Sequence, residues 1–179
     1  PSNLQSVIKG VINVWQSIPP ILAVLAISMA MPLTGFSQVA AIAAACWAGI
    51  ARITFAEVTA LMARPYVMAA HALGAGRWHI FWHTLMPNFA PLLATLTAVT
   101  AALALTLQSS VAFLGLDSGD VTWGAQIGRG QRYVLVAWWM VVPPSLCLLI
   151  AIGSIMLISL GTATPGSVNV RANALNRLR

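Results

Sequence analysis

His79 and His83 stand four residues apart, the spacing at which two imidazoles on one helical face can share a metal ion. The zinc-protease form of that pattern needs a glutamate directly after the first histidine, and Ile80 holds that place. His71 lies across the glycines at 74 and 76, so no third ligand falls on the same face. The pair therefore reads as part of an amphipathic helix, without a metal. An intramembrane serine hydrolase would need a histidine base within an apolar run, yet all three histidines lie in the segment 68–88. A phosphate-binding loop ends in Lys-Ser or Lys-Thr, and the one lysine, Lys9, precedes Gly10. The chain is thus expected to be no enzyme and to hold no cofactor of its own. Asp117 and Asp120 lack the spacing of a metal loop and read as solvated turn residues. Cys46 and Cys147 fall in apolar runs and read as small packing residues rather than a disulfide.

The elements that carry these residues belong to a membrane protein. Of 179 residues 59% are hydrophobic and only 7% charged, too few to cover a water-soluble surface. No Asp, Glu, Lys or Arg occurs from Gly10 to Ala51, from Trp78 to Leu116, or from Tyr133 to Val170. A helix needs about 20 apolar residues to cross a hydrocarbon core about 30 Å thick. The expected fold is an all-α integral membrane bundle of about four transmembrane helices: Ile18–Met31, entered through Pro19-Pro20, then Val39–Phe55, Phe89–Phe113 and Tyr133–Leu160. Residues 1–179 form one domain, with a polar insert at about 56–88 and a second loop at about 114–132. The net charge of +6 is scattered at the ends of apolar runs rather than gathered into a stripe, which argues against nucleic acid as a partner. Basic residues in alternate loops set orientation. Lys9, Arg52, Arg64, Arg77, Arg171, Arg177 and Arg179 fall on one side, against Arg129 and Arg132 on the other. The insert and both ends are therefore expected in the cytoplasm, and the 114–132 loop outside.

Within the insert, Arg64-Pro65 breaks one helix and can open the next, because proline suits a first helical turn. A short helix is expected over Tyr66–Leu73, ended by Gly74, with Gly76 loosening the link to Arg77–Leu85 and Met86-Pro87 marking the return to the bilayer. Tyr66, Ala69, Ala70 and Leu73 share one face of it. The two alanines make that face flat enough to lie close against a partner.

The stretch "YVMAAHALGAGRWHIFWHTLMPN" resembles the cytoplasmic signature loop of ABC-importer permeases, with Ala69, Ala70, Gly74 and Pro87 at its marked positions and Met68 where the pattern has glutamate. Upstream, Trp47, Ala51, Arg52 and Glu57 match the segment that precedes the loop. Downstream, Phe113, Leu114, Gly115, Leu116, Trp123 and Gly124 match a segment of the dipeptide, oligopeptide and nickel branch. The similarity runs over about residues 47–130 and suits the C-terminal part of such a permease, lacking the N-terminal spans. It implies that the short helix couples to an ATPase through Tyr66, Ala69, Ala70, Leu73, Gly74 and Gly76. It implies as partners a second homologous permease, two cytoplasmic ATPase subunits that bind the ATP, and an external solute-binding protein docking near Trp123 and Gly124, all in a bacterial-type inner membrane. The solute would be a peptide, nickel or a similar small molecule. Thr97, Thr100 and Gln108, on one stripe of the third span, would line its path, although such residues also serve to pack helices. The other reading is a membrane scaffold, or a degenerate permease paralogue, with no transport role.

Overall fold

The computed structural model describes residues 3–32, 34–119 and 121–163. Asp120 and the basic tail residues Arg171, Arg177 and Arg179 lie outside the described residues, and with them the expected sidedness of the C-terminal end. Among the described residues every regular element is a helix and none is a strand; the α-helices are α1 (Asn3–Gln16), α2 (Pro20–Ala30), α3 (Gly35–Met62), α4 (Pro65–Ala72), α5 (Arg77–His79), α6 (Met86–Phe113), α7 (Trp123–Gly130) and α8 (Val142–Ala163). Three stretches among them are long and apolar enough to cross a membrane: Gly35–Met62, Arg77–Phe113 and Trp138–Gly161. A fourth crossing is available only if α1 and α2 together make one. The protein is an all-α membrane protein, as expected, but every span differs in its ends.

The first span is not a straight helix over Ile18–Met31. α1 and α2 meet at an angle of 84°, and α2 has only 11 residues, about 16 Å at 1.5 Å per residue. Pro19 and Pro20 are the cause. Pro20 fits the first turn of α2, while Pro19, in extended backbone, stops α1. α3 starts earlier and ends later than expected. Thr34 and Ser37 cap its start reciprocally: the Ser37 amide donates to Thr34 Oγ1 (3.2 Å) and the Thr34 amide to Ser37 Oγ (3.0 Å).

The third span begins at Arg77, not at Phe89. α5, a widened turn over Ile80–Leu85 and α6 form one continuous helix of 37 residues, about 55 Å long. Pro87 does not end it. A proline inside a helix loses its bond to the carbonyl four residues back and collides with it. The turn relieves this by shifting to bonds five residues back, as from the Met86 amide to the Phe81 carbonyl. Asn88 Nδ2 then donates to the Thr84 carbonyl (2.7 Å). In the fourth span, Pro143 and Pro144 sit in the first turn of α8 rather than mid-span, where amide donors have no partner in any case. Residues 131–141 before it are short tight turns.

The chain divides into two compact units. The first is Pro1–Arg52 with Thr100–Ser154. Its core joins α2 (Ala23, Val24), α3 (Ala41, Ala45, Cys46) and α6 (Leu107, Val111). The second is Ile53–Val99 with Ile155–Arg179, and its core is Leu61, Val67, Ile80, Leu85 and Phe89.

Candidate functional site

In the second unit, α4 is short and would have little stability alone. It is held at both ends. Arg64 in extended backbone and Pro65 at the first helical position open it. Gly74, with φ of +80°, closes it: the Ala75 amide donates to the Ala70 carbonyl (3.1 Å) and the Gly74 amide to the His71 carbonyl (3.0 Å). These are the two bonds of a Schellman cap, and Ala70 and Ala75 both pack against the cluster beneath. Gly74→Ala would put a Cβ into left-handed backbone and is expected to cost about 1–2 kcal/mol of local stability. The readout is faster hydrogen exchange at the Ala75 amide.

Val67 anchors α4 to its unit. It is fully buried, against Leu61, Ile80, Leu85 and Phe89. Ala70 is partly buried against the same cluster, so of the face expected from the sequence only Tyr66, Ala69 and Leu73 turn outward. Leu73 is 88% exposed and Met68 62%. Gly76 caps the following helix in extended backbone. The result is a helix fixed from beneath, with a small apolar upper face. His79 and His83 stack with ring centroids 4.4 Å apart, and no group of three or more metal-ligating side chains occurs among the described residues. Trp78 and Trp82 are exposed beside them.

In the first unit, the segment 113–130 carries a second constellation. α6 ends in the same cap as α4. Gly115 has φ of +79°, its amide donates to Ala112 (3.0 Å), and the Leu116 amide donates to Val111 (3.2 Å). Leu116 folds back on the Val111 cluster, and its carbonyl accepts from Gln38 Nε2 (2.9 Å). Gln38 Oε1 in turn accepts from Gln108 Nε2 (2.9 Å). Gln38 is buried, so Gln108 belongs to a hydrogen-bond chain joining α6, α3 and the loop. Gln108→Leu leaves a buried acceptor unpaired and is expected to cost about 1–3 kcal/mol, while Gln38→Leu with Gln108→Leu costs less than the two single changes summed. Thermal unfolding of the four variants measures that coupling. Thr97, at the exposed surface of its own unit, donates to the Leu93 carbonyl (2.7 Å), and Thr100 is partly buried.

Thr122 caps α7 by accepting from the Ala125 amide (3.2 Å). Trp123 is 40% exposed at its start, but Gly124 is buried. A Cβ on Gly124 would lie 2.7 Å from Ser109 Cα, and one on Gly128 would lie 2.5 Å from the Phe113 carbonyl oxygen. The two glycines, four apart, thus lay α7 on α6 backbone to backbone. The reading of the residues missed three anchors: Val67, Gln38 and Gly128. Gly124-x-x-x-Gly128 was a usable signal, because small residues at this spacing let membrane helices approach closely.

These capped ends fall on the loop and Phe-Leu-Gly-Leu segments that suggested an importer permease. The profile of the family described as binding-protein-dependent transport system inner membrane component matches residues 2–169. The chain belongs to that family. It is 32% identical over 158 residues to the probable D,D-dipeptide transport system permease protein of Escherichia coli (strain K12), covering 83% of this chain and 51% of that one. It is 28% identical over 164 residues to the di/tripeptide transport system permease protein of Pseudomonas aeruginosa (strain UCBPP-PA14), covering 90% and 54%. It is also 31% identical over 131 residues to the peptidoglycan transport system permease protein of Agrobacterium fabrum, covering 71% and 34%. This family member therefore spans about half the length of the first two relatives, and a third of the last.

Proposed function

We propose that the chain is the membrane subunit of an ATP-driven importer of small peptides, and that α4 is its coupling helix. One observation carries the reading: α4 is locked by Pro65, Val67 and Gly74 yet leaves Ala69 and Leu73 exposed, with Tyr66 half-exposed beside them. Exposed leucine on a rigid, capped helix is suited to a cleft in a cytoplasmic ATPase subunit. Closure of two such ATPases would displace α4, provided the contact differs between the open and closed states. Met68, standing where the family loop has glutamate, keeps this contact apolar. Peptide is favoured over nickel as the solute because two of the relatives above carry dipeptide or di/tripeptide in their names. A second homologous permease would complete the pathway, with Thr97, Thr100 and Gln108 of α6 as candidate lining residues. An external solute-binding protein would meet the loop at Trp123, with Gly124 shaping that surface from beneath. The insert would face the cytoplasm.

The test is co-purification of the full-length permease with its ATPases, followed by peptide-stimulated ATP hydrolysis in liposomes containing the binding protein. Association with stimulated hydrolysis is the expected result. A permease that inserts but retains no ATPase would instead be the scaffold. Sidedness has its own check: Leu73→Cys should react with an impermeant maleimide in inside-out vesicles and not in right-side-out ones.

A further inference from the structure

Two cavities of the first unit adjoin at Phe113 and Leu114, which line both. The larger, about 580 Å³, lies between the end of α6 and the end of α7 and carries Arg129, Arg132 and Tyr133. The smaller, about 390 Å³, is an open groove walled by Ile21 of α2, Ile127 of α7 and Leu148 of α8, with Thr106 and Ser110 of α6 along it. Both hydroxyls are spent on their own helix: Thr106 Oγ1 donates to the Ala102 carbonyl (2.9 Å) and Ser110 Oγ to the Thr106 carbonyl (2.8 Å). The groove is therefore apolar in character, while the cavity beside it is charged. From Phe113 to Thr106 the groove follows α6 for about 10 Å, at 1.5 Å per residue. Asp117 also borders the larger cavity, but it is half-buried rather than the solvated turn residue its sequence context suggests, and its Oδ2 atom is closed off. Arg129 and Arg132 are exposed. Two guanidiniums against one carboxylate leave this cavity net positive.

We infer that the two cavities together hold one anionic phospholipid of the phosphatidylglycerol class, its phosphodiester on Arg129 and Arg132 and one acyl chain in the groove. Guanidinium forks match phosphate oxygens and stay charged at any depth. The level in the bilayer is right. The span that includes α8 starts at Trp138, and Tyr133, Trp138 and Trp139 are all exposed near that start. Tryptophan and tyrosine gather at the headgroup level, which puts the arginines beside the phosphates and the groove beneath them, among the chains. A soluble anion would use the arginines and leave the groove empty. A phosphatidylethanolamine head would bring its ammonium up to a cavity that is already net positive. The lipid would fill the notch that α7, laid closely on α6, leaves toward α8. This site needs neither an ATPase nor a solute, so it stands or falls apart from the coupling role of α4.

The experiment places the full-length permease in phosphatidylcholine nanodiscs with a trace of photoreactive lipid. The probe carries a diazirine on one acyl chain and either a glycerol or an ethanolamine head. Adducts are located by peptide mass spectrometry. The phosphatidylglycerol probe is expected to label the 106–113 segment and the segment around Leu148 at least about tenfold more than the ethanolamine probe, the ratio of one charge-assisted contact. Arg129→Gln with Arg132→Gln should bring the two probes level. Arg129→Lys with Arg132→Lys keeps the charge and should retain part of the preference, which a folding defect would not. Leu148→Trp fills the groove and should remove its adducts. Equal labelling by the two probes in the wild type, or a preference that survives the double glutamine change, would overturn the site. Absence of groove adducts from either probe would also overturn it, and would give the groove to protein, such as a further span or the second permease. Glycerophosphoglycerol, the same head without chains, and inorganic phosphate should leave the labelling unchanged at the probe's own concentration. If either abolishes the preference, the arginines take a free anion and the lipid is rejected.

Discussion

Gly124→Ala is expected to unseat α7 and lower the stability of the first unit by about 3 kcal/mol or more, at or beyond the upper end of ordinary overpacking. An added methyl normally finds room when a neighbouring side chain swings aside. Here the obstacle is the Ser109 backbone inside α6, 2.7 Å from the new carbon at its Cα, and a helix backbone does not yield. Gly128 faces the Phe113 carbonyl one turn further on, so tilting α7 away at one end forces it against α6 at the other. The measurement is the melting temperature of the full-length permease, followed by a thiol-reactive dye at Cys46. Cys46 is buried in the core of this unit, and Cys147, which is exposed, is replaced by serine beforehand. Gly153→Ala is the control. Nothing lies within 4 Å of a Cβ there, and alanine is the better helix former by about 1 kcal/mol, so its melting temperature should hold or rise. A Gly124→Ala protein that melts with the wild type would show that the two helices are not in backbone contact.

Leu73→Glu is expected to weaken ATPase association by about thirtyfold or more, the scale of a central apolar contact at an interface. Its own fold should be unaffected, because Leu73 is 88% exposed and substitutions at open surface cost within about 0.5 kcal/mol. Ala69→Glu should act in the same way and for the same reason. Val67→Ala supplies the contrast. It empties the anchor beneath α4, costs about 2 kcal/mol, and lowers association only as far as it loosens the helix. Pull-down and ATP hydrolysis separate these variants from one another. If Leu73→Glu leaves both at wild-type values, the upper face of α4 is not where an ATPase is gripped.

Much of this molecule was readable from residue order alone. Scarcity of charge and long apolar runs fixed the class, since no other solvent tolerates such a surface. Pro65 and Gly74 marked the two ends of α4, because both act through local backbone geometry that needs no tertiary partner. Helix ends elsewhere were less legible. Pro87 looked like a boundary and proved to be interior, because a widened turn absorbs the missing bond. Pro143 and Pro144 looked interior and proved to be initial. In each case the outcome depends on where neighbouring carbonyls find donors, which a proline does not announce. Of the face expected for α4, Tyr66, Ala69 and Leu73 are exposed while Ala70 is partly buried. Val67 decides the matter, and it could be ranked above Ala70 only with the positions of Ile80 and Leu85 known. Gln38 was beyond reach for the same reason: its meaning lies in atoms far away in the chain, at Leu116 and Gln108.

The widened turn at Ile80–Leu85 has one more effect, on angular bearing. In a regular helix, residues five apart point about 140° away from each other. Ile80 and Leu85 nevertheless enter the same cluster, followed by Phe89. The surplus residue resets the phase of the helix, so that the portion leading from α4 and the portion entering the bilayer aim their apolar sides at one target. Deleting a single residue from this turn would restore ordinary bonding and swing Ile80 out from over Val67, leaving the support of α4 misaligned by more than a quarter of a circle.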